Sequence, residues 1–165
     1  MHALLDRIVT FTSWWADLYA DSRALEASVM FLHLGGMVAA GGLAFTLDRA
    51  VFRSRKGWPH RDDLAKELHA SHGAVIGGLV VVFASGIVLT ASDPEAFLTS
   101  WIYWAKMVTV VLLLGNGWLL KKSGERLLED PQSEGAFRSL RRSALRSAGL
   151  WALSVLGGIA ITLYA

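Results

Sequence analysis

The chain has no cysteine, which excludes disulfides, thiolate metal centres and the covalent attachment of a c-type haem. Charge is scarce as well: Asp, Glu, Lys and Arg make up 18% of the 165 residues, while 53% are hydrophobic. The mean hydropathy of +0.42 exceeds the usual soluble range, so a membrane protein is the first expectation. Lys and Arg are missing from Ala91–Ser100, "ASDPEAFLTS", which holds two acids. An uninterrupted apolar leader is missing too. Asp6, Trp14, Trp15, Asp17 and Asp21 break up the first 26 residues and no small-residue cleavage site follows, so no cleavable signal peptide is expected.

What is present is four long runs with almost no charge: Ala27–Leu47, Leu68–Ser92, Ala96–Leu120 with only Lys106, and Ser147–Ala165. About 20 apolar residues at roughly 1.5 Å each cross a hydrocarbon core of about 30 Å. The expected fold is all-α, a polytopic antiparallel bundle of four transmembrane helices, with spans near 27–47, 69–91, 97–120 and 147–165. The whole chain, 1–165, reads as one transmembrane domain. Residues 1–24 read as an interfacial amphipathic segment, because Leu4, Ile8, Phe11, Trp15 and Leu18 recur at helical spacing with polar residues elsewhere on the wheel. Small residues let helix backbones approach in lipid. Three such stripes stand out: Gly36, Ala40 and Ala44; Gly73 and Gly77; Ser154 and Gly158. They suit either the bundle interior or a homodimer seam.

Thirteen of the sixteen basic residues fall in two connections. Arg49, Arg53, Arg55, Lys56, Arg61 and Lys66 lie between spans one and two; Lys121, Lys122, Arg126, Arg138, Arg141, Arg142 and Arg146 lie between spans three and four. Both connections are therefore expected on the cytoplasmic side of a bacterial-type inner membrane, with both termini outside. The isoelectric point near 9.2 then points to anionic lipid headgroups, and not to nucleic acid. Within the second connection, Phe137, Leu140 and Ala144 recur among four arginines over Gly135–Ser147, which reads as a second, weaker interfacial helix.

Polar residues inside the spans carry the functional signal. His33 lies six residues below Ala27, and Lys106 five below Trp101, so both sit roughly 10 Å below the outer face. Met30, His33 and Met37 share one helical stripe, with Met107 as a further soft group, a ligand set suited to copper(I) or to one axial side of haem iron. Gly35 and Gly36 beside them open space against a neighbouring helix, as a flat macrocycle or a buried ion would need. The plainer alternatives are a core histidine bonded to a neighbouring helix carbonyl, core methionines, and a lysine that snorkels along Tyr103 and Trp104. At the inner face His69 and His72 sit one turn apart, near Asn116 in depth, as an alternative metal site or simply a polar cap. One haem bridging His33 and His72 is disfavoured by their separation in depth.

The segments "FLHLGGMVAAGG" and "SGIVLTASDPEAFLTSWIYWAKMVTVVLLLGNGWLL" resemble the small four-helix membrane proteins related to the copper-resistance protein D family, and more distantly the HemJ-type protoporphyrinogen oxidases. In the latter group a first-span histidine and a third-span lysine form the functional pair. The resemblance maps these onto His33 and Lys106 and implies a membrane protein that binds haem b or handles copper, in a redox or metal-handling role. The alternative is a transport subunit, or an accessory or structural subunit of a larger membrane complex, with no cofactor of its own.

Overall fold

The computed structural model describes residues 2–54 and 61–164. Arg55 and Lys56 of the first basic connection lie outside them. Six helices follow in order: α1 (His2–Asp21), α2 (Arg23–Arg53), α3 (Arg61–Ser92), α4 (Pro94–Thr99), α5 (Trp101–Glu129) and α6 (Glu134–Tyr164). Polar caps punctuate them. Ser22 caps α2 by accepting from the Leu25 amide, and Asp93 caps α4 by accepting from Ala96 ahead of Pro94 in its first turn. Asp130 ends α5, and Ser133 accepts from the Ala136 amide at the start of α6.

Four helices, α2, α3, α5 and α6, are long and apolar enough to cross a membrane. Between 6% and 22% of the residues in their most apolar stretches are buried. Phe31, Val38, Phe83, Val108 and Leu156 are all more than half exposed. Such a surface is expected when lipid, not water, surrounds it. α2 packs on α3 and α6, and α5 packs on the same two, which closes a ring α2–α3–α5–α6. α1 leans on α3, α4 and α2. Its Trp15 indole donates to the Val88 carbonyl of α3 at 3.0 Å.

The best-packed apolar core lies at one end of the ring. It joins Leu47 and Val51 of α2, Leu64 and Leu68 of α3, Leu127 of α5, and Phe137, Leu140 and Ala144 of α6. This differs from the expected second interfacial helix. Residues 135–147 are the first turns of α6 itself, and their apolar stripe is buried: Phe137 is 5% exposed, Leu140 and Ala144 0%. Where helices project into water, burying apolar faces against each other is favourable; among lipid tails that force is largely absent.

The small-residue stripes divide. Gly36, Ala40 and Ala44 are buried along α2. A Cβ on Gly36 would meet Val82 at 3.0 Å and the Gly78 carbonyl at 3.3 Å. The residue of α3 in this crossing is Gly78, whose Cβ would meet that of Ala40 at 2.8 Å, whereas Gly73 and Gly77 have nothing within 4 Å. Gly36 thus serves close helix approach, and its space is filled by α3.

Candidate functional site

His33 is half-buried on α2 and reaches α3. Its Nδ1 lies 3.1 Å from the Val82 carbonyl and 3.0 Å from Ser85 Oγ. A carbonyl only accepts, and the Ser85 hydroxyl hydrogen is directed to the Val81 carbonyl at 2.6 Å. The bond to the carbonyl needs the proton on Nδ1, and in the neutral tautomer that bond selects the lone pair lies on Nε2. The bond to a neighbouring helix carbonyl is the one a plain core histidine would make. It is also the outer-shell bond that orients a metal-ligating imidazole.

Lys106 of α5 comes toward the same region from across the ring. Its stem lies against the glycines of α6: Cβ is 3.4 Å from where a Gly157 Cβ would stand, and Nζ is 3.6 Å from the same point on Gly158. Two glycines in succession leave the channel along which the side chain runs. No carboxylate among the described residues pairs with Lys106. One turn away along α5, Tyr103 Oη meets Thr90 Oγ1 at 3.3 Å, and Thr90 donates to the Gly86 carbonyl. Gly86 itself faces the His33 ring, with 3.4 Å from its virtual Cβ to Cε1.

Of the other expected ligands, Met30 is 41% exposed on the outside of α2, and Met37 and Met107 are half-buried. His69 is exposed and His72 half-buried. From His72 to Val82 is ten residues, about 15 Å along α3, so His69 and His72 occupy a separate level from His33. Among the described residues no group of three or more His, Asp or Glu is placed to share a metal ion.

A second polar locus, at the end of the ring that holds the apolar core, centres on Asp48, which the sequence pattern of candidate sites did not include. Asp48 is 2% exposed, and its Oδ2 has no hydrogen-bond partner. Asn116 is 5% exposed and donates to the Ser143 carbonyl at 2.9 Å, one turn of α6 away, with its Oδ1 unpartnered. The signal for Asp48 was present: it continues the Gly36–Ala40–Ala44 stripe by one further step of four. Ser85, Gly86 and Gly157 had no such signal, and Gly158 stood out only in the Ser154–Gly158 stripe, because the pairing of α3 with α2 and of α6 with α5 gives them their roles.

The chain matches no protein-family model, no curated protein and no solved structure.

Proposed function

We propose that the protein is an antiparallel four-helix protein of a bacterial-type inner membrane that holds haem b at His33 and Lys106, in a redox role. The observation that carries this is an imidazole whose Nδ1 is anchored on α3, leaving the Nε2 lone pair, in a bundle whose α5 holds at Lys106 an ammonium that no carboxylate among the described residues neutralises. The donor chemistry fits the group: His33 would supply one axial nitrogen, and Lys106 would meet a propionate. When bound, haem would supply one-electron transfer. Copper is the second reading, through Met30, His33, Met37 and Met107, but an uncompensated ammonium beside the site repels a cation and attracts an anionic cofactor. A cofactor-free transport or accessory subunit, built on the same polar residues or on the small-residue faces as a homodimer or complex seam, is the rival.

Supporting the antiparallel arrangement, partners run in opposite order along α2 and α3: His33 with Ser85, Gly36 with Val82, Ala40 with Gly78. Supporting an interfacial α1, its Leu4, Phe11 and Leu18 lie on the exposed side while Trp15 ties it to α3.

The test is an absorption spectrum with metal analysis of detergent-purified protein. His33→Ala is expected to remove the bound haem or copper, and His72→Ala to leave most of it. Equal cofactor content in the two variants would overturn the assignment.

A further inference from the structure

The first turns of α6 carry a feature that neither the core nor the His33 site uses. Arg138, Arg142 and Arg146 recur every fourth residue and, with Ser139, Ser143 and Leu119 of α5, line one groove of about 420 Å³. Like charges at this spacing destabilise a helix. No carboxylate among the described residues pairs with any of the three. Glu134, the acid one turn before Arg138, has its carboxylate turned to Arg61 at 3.2 Å. The groove is thus a concentrated, uncompensated positive site.

Its surroundings are apolar in one direction only. Leu119 is 39% exposed, and Leu112 and Val108, two and three turns further along the same side of α5, are 56% and 59% exposed. Guanidinium groups at one end and bare hydrocarbon leading away match an amphiphile with an anionic head. We propose that this groove binds the phosphate of an anionic phospholipid, with its acyl chains along Leu112 and Val108. The arginines offer paired N–H donors to phosphate oxygens. A zwitterionic lipid would bring its own ammonium toward three guanidinium groups. This inference rests on the membrane reading above and is independent of the cofactor.

The experiment is a thermal melt of the full chain in a neutral detergent, titrated with phosphatidylglycerol, phosphatidylcholine or inorganic phosphate. Phosphatidylglycerol is expected to raise the melting temperature, and the other two to leave it unmoved. Arg142→Gln with Arg146→Gln is expected to weaken the phosphatidylglycerol response roughly tenfold in concentration. Arg142→Gln alone should lose part of it, which keeps the test open if the double variant is unstable. Arg126→Gln, on α5 outside the groove, should keep it. Equal responses to both lipids, a double variant like the parent, or an equal loss in Arg126→Gln would overturn the site. A response to inorganic phosphate matching that to phosphatidylglycerol would make it a free-anion site and overturn the lipid. The phosphatidylglycerol response is expected whether or not the purified protein carries haem, so failure of the haem reading would leave the groove standing.

Discussion

Lys106 shows how one residue can be costly and still be kept. An ammonium roughly 10 Å inside the bilayer costs on the order of 1 to 3 kcal/mol unless it reaches water or meets an anion. Gly157 and Gly158 give its stem a path along α6, and no described carboxylate meets its head. If the charge serves the site, Lys106→Met keeps the fold, since methionine suits the span, and loses the cofactor. Lys106→Arg retains part of it, because the charge survives with altered geometry. Cofactor per mole of protein and melting temperature are the measurements. A methionine variant equal to the parent in both would reduce Lys106 to a snorkelling side chain and favour the cofactor-free rival.

At the scale of helices, the α2–α3 crossing depends on a short stretch of close approach. Gly78 meets Ala40 backbone to backbone, while its neighbour Gly77 faces open space. Gly78→Leu therefore forces the two helices apart, an overpacking cost of about 1 to 3 kcal/mol. It also shifts Val82 and Ser85, one and two turns on, away from His33. Gly77→Leu is expected to be tolerated. Melting temperature and cofactor content should both fall in the first variant and hold in the second. A Gly77 variant as damaged as the Gly78 variant would mean that the other face of α3 is covered, as in a homodimer.

Across the whole molecule, two packing regimes meet. The membrane-length stretches touch through small residues and a few hydrogen bonds, and the ends of α2, α3, α5 and α6 that carry Leu47, Leu68, Leu127 and Leu140 share an apolar core of the kind found in water-soluble proteins. The basic residues cluster at that same end, around Arg49, Arg61, Lys121, Arg138 and Arg142, and the positive-inside rule predicts that end in the cytoplasm with both termini outside. Cysteines introduced by Ser92→Cys and Ser133→Cys check this. An impermeant reagent applied to cells should label position 92 and spare position 133; the reverse pattern would sink the orientation.

Sequence by itself determined the helical class and the four apolar stretches, because a bilayer leaves only length and hydropathy to satisfy, and both are local properties of the chain. It also singled out His33 and Lys106, since a polar residue among apolar ones is conspicuous wherever the helices go. It did not determine which small residues touch: Gly73 and Gly77 form as regular a stripe as Gly36 and Ala40, yet Gly78 makes the contact. Nor did it reveal that the arginine-rich start of α6 buries Phe137 and Leu140, since an amphipathic stripe looks alike whether it meets headgroups or other helices. The anchoring of His33 by Val82 and Ser85 and the seating of Lys106 on Gly157 and Gly158 were decided by tertiary structure alone. Each depends on the relative rotation and register of two helices, and those are set by side-chain interlocking between segments distant in the chain, which no local pattern encodes.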